Sequence, residues 1–235
     1  MRANRIGKWL TAFGILAICI VVGAVSIAAQ PSSPTPTPVS QSVATPQASP
    51  AATALSGADQ QALLKEAVQV TGDKYPKVVA YVDGNPISGK NLAQQIYVIQ
   101  HNPQDVAFRA DAVNVALNWL IQNQVLLEHA GDYGISVSDD DARGYIEQVK
   151  AQTAQDPNSQ ELTKELAKQL GVDPADYFEQ PEVIKQYRDG LTLAAVQRYV
   201  LATIPADKRS GDWQSQALAD FVDSLNPKVQ ILIAH

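Results

Sequence analysis

LIQNQVLLEHAGDYGISVSDDD, residues 120–141, contains one helix stopping and another starting around a single tight corner. Leu117, Leu120, Ile121, Leu126, Leu127 and Ala130 recur at helical spacing, so residues 111–133 read as one amphipathic helix with a broad apolar face. Gly134 stops it, because glycine just past a helix takes the left-handed conformation that satisfies the last carbonyls. Ile135 can then fold back onto the final turn. Ser138 is a good N-cap for the next helix, and Asp139, Asp140 and Asp141 put negative charge beside its free N–H groups. A calcium loop needs ligands at alternating positions and a glycine turn, which residues 139–143 lack, so the three aspartates read as helix-start chemistry.

Working outward to the N-terminus, Arg2, Arg5 and Lys8 precede an uncharged apolar run over residues 9–29. That order predicts a signal-anchor segment, residues 1–29, with a cytoplasmic N-terminus and an extracytoplasmic remainder in a single-pass cell-membrane protein. Ser26 and Ala28 supply the small residues of a cleavage site, and cleavage would make the protein secreted. Cys19 is the one cysteine, so the chain forms no intrachain disulfide. Ile18 before it is too bulky for a lipidation site. Residues 30–55, rich in Pro, Ser, Thr and Ala and free of charge, read as a disordered spacer.

Residues 56–76 are expected to be a short helical lead-in and 77–235 the folded domain. The whole chain carries 18 basic and 24 acidic residues; without Arg2, Arg5 and Lys8 the remainder has 15 against 24, a net charge of −9. That sign argues against nucleic acid as a partner, and against adsorption to anionic lipid.

Within the domain, VVAYV at 78–82 reads as a strand closed by a turn over 83–86, and VQILI at 229–233 as the other strand. Two apolar strands at opposite ends of a helical domain should pair, since each would otherwise leave its backbone groups unsatisfied. Between them helices are expected at 89–100 (capped by Ser88), 139–153, 159–170, 174–178, 181–202 and 211–225. The loops 156–158 and 171–174 break them. The helix from Pro181 sets Val183, Tyr187, Leu191, Ala194 and Ala195 near one face. The fold class is therefore mostly α, a multi-helix domain whose end strands pair in a small antiparallel sheet.

This order of elements, with Val82-Asp83-Gly84, Ile87-Ser88, the Leu120-Ile121 to Ala130 helix end, and Gly134-Ile135 before Val137-Ser138-Asp139, resembles the N-terminal domain of SurA-type and PrsA-type extracytoplasmic chaperones. The resemblance covers residues 77–235. Asn91 departs from it, since the family often has an acidic residue there to complete a capping box. The resemblance implies a chaperone that binds unfolded or exported polypeptides without ATP. It also implies a parvulin prolyl isomerase domain next to the helical core, but residues 204–210 join the last two helices directly and leave no room for one.

No catalytic constellation stands out. His101 lies in a His-Asn-Pro loop, His129 at a helix end where a cation complements the dipole, and His235 is the last residue. None has a Ser, Cys or carboxylate at a catalytic spacing, and phosphate-binding glycine motifs and zinc-ligand pairs are missing. The reading is a non-enzyme without cofactor or metal.

Aromatic residues are the better lead, because a chaperone must present apolar surface. Tyr97, Phe108, Trp119, Tyr177, Phe178, Tyr187, Tyr199 and Trp213 are the pool. Most fall at core spacing, and Tyr97, Tyr177, Phe178 and Trp213 are the client-binding candidates, with Tyr177-Phe178 and Trp213 expected to be partly exposed near helix starts or loops. The alternative function is a tethered module docking one cell-envelope partner. A concave apolar cleft would favour the chaperone, and a flat patch with an aromatic anchor the docking module.

Overall fold

The β-branched Val78, Val79 and Val82 and the aromatic Tyr81 favour an extended backbone, and Val78–Val82 forms strand β1. The computed structural model describes residues 56–211 and 213–233; the expected membrane span, the spacer, Cys19 and His235 lie outside the described residues. After β1 the chain turns at Asp83 (φ 47°) and Gly84 (φ 90°), both left-handed as a tight hairpin requires. It then runs back as β2, Asn85–Ser88. The turn is thus shorter than the four residues expected, and Asn85 and Pro86 belong to a strand that the sequence reading missed. Pro86 is tolerated because β2 is an edge strand. Strand β3, Val229–Ile231, pairs antiparallel with β1, setting Val82 opposite Val229 and Ala80 opposite Ile231. The end strands therefore meet as expected, in a three-stranded sheet of order β2-β1-β3.

The first described helix, α1 (Gly57–Gln69), is capped by Ser56, whose hydroxyl accepts from the Asp59 N–H. Ser88 caps α2 (Gly89–His101) through the Asn91 N–H, so Asn91 keeps the backbone half of the cap. A tight 3-10 segment, Pro103–Asp111, leads into α3 (Ala112–His129). Ser138 opens α4 (Asp139–Thr153) with a full capping box: its hydroxyl accepts from the Asp141 N–H, and the Asp141 carboxylate accepts from the Ser138 N–H. These bonds hold the Asp141 carboxyl below its usual pKa. Helix α5 (Pro157–Leu170) begins earlier than expected, because Asp156 caps it and Pro157 sits in its first turn. After a 3-10 turn at Pro174–Glu179 come α6 (Pro181–Thr203) and α7 (Trp213–Ser224).

Two apolar cores result. The larger gathers β1, α2, α3, the C-terminal half of α6 and α7, with Leu92, Ile99, Leu117 and Leu126 fully buried. The smaller joins α4, α5, the 3-10 turn and the N-terminal half of α6 around Tyr177, Phe178, Val183 and Tyr187. Burying each such side chain contributes about 1.5–3 kcal/mol.

Helix α6 serves both cores, and its buried side shifts along its length. Val183, Ile184 and Tyr187 enter the smaller core, whereas Leu193, Val196 and Val200 enter the larger. Ala194 and Ala195, expected on the core face, are only half-buried because the stripe rotates between the two cores. Helix α1 makes a second connection. Its Ala67 packs in the larger core, while Gln61 Nε2 donates to Asp156 Oδ2 (2.8 Å) and Ser159 Oγ (2.9 Å) at the start of α5. No helix among the described residues is long and apolar enough to cross a membrane.

Candidate functional site

The corner after α3 places the most distinctive surface feature. The helix tightens into a 3-10 turn at Ala130–Tyr133, and Gly134 then adopts φ 68°. The Ile135 N–H donates to the Ala130 carbonyl at 3.1 Å, and the Ile135 side chain packs against the larger core. This is the glycine-terminated helix end expected from the sequence. It leaves Tyr133 half-buried, with its ring centroid 5.0 Å from Phe221 of α7 and 5.5 Å from Tyr199 of α6. Tyr199 is 42% exposed. Three elements thus converge on one aromatic patch, in the tilted geometries such rings prefer.

The same corner fastens the sheet. His129 Nδ1 lies 2.8 Å from Asp132 Oδ2, and its Nε2 lies 3.7 Å from Asp83 Oδ2 in the β1–β2 turn. The bond to Asp132 is the main cause holding the His129 pKa above its usual value, with Asp83 adding to it against partial desolvation. Asp83 in turn accepts from the Lys228 N–H through Oδ1 (3.0 Å) and donates its own N–H to the Lys228 carbonyl (2.9 Å). A continuous set of contacts therefore runs from the aromatic corner to the start of β3.

Strand β3 is the second feature. Val229 and Ile231 stand opposite Val82 and Ala80, which are fully buried, yet they remain 40% and 39% exposed, and Leu232 is 46% exposed. Among the described residues no strand pairs with the outer edge of β3. Apolar side chains on an open strand edge suit an extended polypeptide, which can add main-chain hydrogen bonds and fill the gaps with alternate side chains.

The residues singled out from the sequence fall elsewhere. Tyr97 is half-buried; its hydroxyl donates to Glu66 Oε2 at 2.5 Å, and its ring stacks on His101 at 3.9 Å. That bond raises the phenol's pKa and ties α2 to α1. Tyr177 and Phe178, expected to be partly exposed, are 3% and 6% exposed. The 3-10 turn rolls both rings inward, Phe178 to 6.3 Å from Tyr187, and burial pushes the Tyr177 phenol up to about 12. Trp213 is half-buried, with the Arg209 guanidinium 5.4 Å from its ring centroid. These four residues form no common patch. Sequence reasoning passed over Tyr133 and Phe221; the available signal was an aromatic residue directly before the corner glycine.

Other surfaces offer less. A recess of about 420 Å³ is lined by Gly72, Asp73, Tyr75, Pro76, Lys77, Ser88 and Lys90, a mixed polar lining rather than an apolar cleft. No group of three His, Cys, Asp or Glu residues among the described residues is arranged to hold a metal ion. Asp105, 3% exposed, is pushed up to about 7 by burial, while a hydrogen bond from Asn102 and the charge of Arg109 partly offset this. Among the described residues, His101 bonds the Tyr97 carbonyl and His129 pairs with Asp132 and Asp83, and neither pairs with this carboxyl.

A family model described as SurA-like N-terminal domain matches residues 63–183, just over half of the 235-residue chain. The match starts inside α1, upstream of the Lys77 boundary drawn from the sequence, and it indicates no parvulin domain. No curated protein and no solved structure matches the chain.

Proposed function

The chain belongs to the SurA-like N-terminal domain family, and from that premise we propose that it is a membrane-tethered extracytoplasmic chaperone that binds unfolded or exported polypeptides without ATP and without prolyl isomerase activity. At the family level a chaperone-like role is supported. The observation that carries the finer reading is the presence of two apolar surfaces, the Tyr133–Tyr199–Phe221 patch and the exposed Val229 and Ile231 of β3, on a domain of otherwise acidic balance. Reversible binding at such a surface involves no covalent step. It masks apolar segments of a client, whose own burial supplies the affinity. The anchor at residues 9–29 would keep this activity at the outer face of the membrane.

The test is aggregation of a chemically unfolded protein, followed by light scattering with the chain from Ser56 onward present at near-stoichiometric ratio and no nucleotide. Suppression supports the reading. Undiminished scattering, with one dominant partner captured from envelope extract, would establish the alternative, a tethered module docking a specific partner. One feature favours that alternative: the aromatic patch and strand are surface features, and the recess at Gly72 to Lys90 has a mixed polar lining. A prolyl isomerase assay should give the uncatalysed rate.

A further inference from the structure

The segment between α2 and α3 is fastened to the domain by few groups. Within Pro103–Asp111, the residues Pro103, Val106, Ala107, Arg109, Ala110 and Asp111 are exposed, whereas Asp105 is buried and Phe108 packs half-buried against the larger core. The 3-10 geometry breaks at Asp105 (φ −101°, ψ 16°), so two short turns meet at the residue that goes inside. Such turns have poorer hydrogen bonds than an α-helix, and a segment with so few buried groups costs less to open than the helices beside it.

Asp105 is an unusual fastening. Its Oδ2 is buried without a hydrogen-bond partner, and a neutral carboxyl tolerates such burial far better than a charged one. The segment packs on α2 and α3, and no charged group of either helix acts on Asp105. Helix α3 carries no ionisable side chain from Ala112 to Leu127, and its Glu128 and His129 lie at the far end. On α2, Lys90 sits at the far end beside Gln169, Tyr97 donates to Glu66, and His101 bonds the Tyr97 carbonyl and stacks on its ring. The charge that does act on Asp105 is the Arg109 guanidinium, which belongs to the same segment and donates to the Asn102 carbonyl at 3.4 Å. An ionised Asp105 can therefore leave together with its counter-ion, giving up the hydrogen bond from Asn102 at the end of α2.

We infer that Pro103–Asp111 is a strap closed by the neutral carboxyl of Asp105, and that ionisation of this carboxyl releases the strap from α2 and α3. The closed strap keeps a proton that the opened strap loses at the ordinary aspartate value of about 4. Closure is therefore strongest below about pH 4, weakens as pH rises to the closed-state value of about 7, and stays weak above it. Release vacates the place of Phe108 on the larger core, an apolar surface of the kind an unfolded chain binds. That use of the surface rests on the chaperone reading; the movement does not, and it is read from the backbone alone.

The test is amide hydrogen exchange by mass spectrometry on the full chain in detergent micelles at pH 5 and pH 8, for the unaltered protein and for Asp105→Asn. Each rate is referred to the intrinsic rate at that pH, which gives a protection factor. Protection over residues 103–111 should fall at least about tenfold from pH 5 to pH 8 in the unaltered protein and by much less in the variant. The fall should be insensitive to low concentrations of urea, since a small opening exposes little surface. A smaller fall in the unaltered protein, or an equal one in Asp105→Asn, would overturn the inference. So would a fall matched by peptides covering Leu117 and Leu126 of α3 at the same protection and urea dependence, because the whole domain rather than the strap would then be opening.

Discussion

His129 Nε2 lies 3.7 Å from Asp83 Oδ2, joining the end of α3 to the tip of the β1–β2 turn. Because Asp83 also accepts from the Lys228 N–H, one imidazole braces both the helix corner and the entrance to β3. The raised pKa of His129 gives this brace a pH dependence with a definite sign. Its stabilising effect is fully present below about pH 6.5, the unfolded value, and is lost as pH rises through the higher folded value. Replacing His129 with Gln should therefore lower Tm at pH 5.5 and change it little at pH 8.5. As a partly exposed ion pair it should contribute no more than about 1 kcal/mol. Thermal melts across that range check it, and an equal loss at both pH values would contradict it.

Asp105 predicts the opposite effect of substitution. Its Oδ2 is buried without a hydrogen-bond partner, and its carboxyl is pushed up to about 7. The folded protein keeps a proton that the unfolded chain releases near pH 4, so stability falls as pH rises from about 4 to about 7 and stays lowered above that. Asp105→Asn removes the penalty while keeping an acceptor for Asn102. At pH 8 it should stabilise the protein by about 1–3 kcal/mol, at roughly 1.4 kcal/mol per pKa unit with allowance for relaxation. At pH 4 it should be nearly neutral. Urea unfolding at the two pH values is the measurement.

Gly134 and Gly89 differ in the reason each must be glycine. At Gly134 the constraint is φ 68° in open space, so Gly134→Ala should cost about 1 kcal/mol and leave the fold intact. At Gly89 a Cβ would meet the Pro76 carbonyl oxygen at 2.1 Å, where the Gly89 N–H bonds the Lys77 carbonyl. Backbone must move to admit it, and Gly89→Ala should cost about 3 kcal/mol. Chemical denaturation of both variants would show whether the order is right.

The helical frame was legible because periodicity, caps and breakers agree locally. Gly134, Ser138 and the paired end strands stand as the sequence implies. Strand β2 was missed because Asn85 and Pro86 favour a turn, and only the left-handed pair Asp83-Gly84 shortens that turn enough to free them. Tyr177 and Phe178 were misjudged for a related reason: proximity to a loop predicts exposure only when the loop does not curl, and a 3-10 turn curls both rings inward. The aromatic patch was illegible because Tyr133, Tyr199 and Phe221 lie on three separate elements. Their meeting depends on the packing of α6 and α7 against the corner, which no local spacing encodes.

The most direct test of the central claim is the affinity of an unfolded, fluorescently labelled polypeptide for the protein and for a Tyr199→Ser/Ile231→Lys variant, measured by anisotropy. Both positions are exposed, at 42% and 39%, so the variant should keep its melting temperature within a few degrees. If the aromatic patch and the β3 edge bind clients, the dissociation constant should rise at least tenfold. Binding by the unaltered protein that the variant retains undiminished would place client recognition elsewhere and contradict the account.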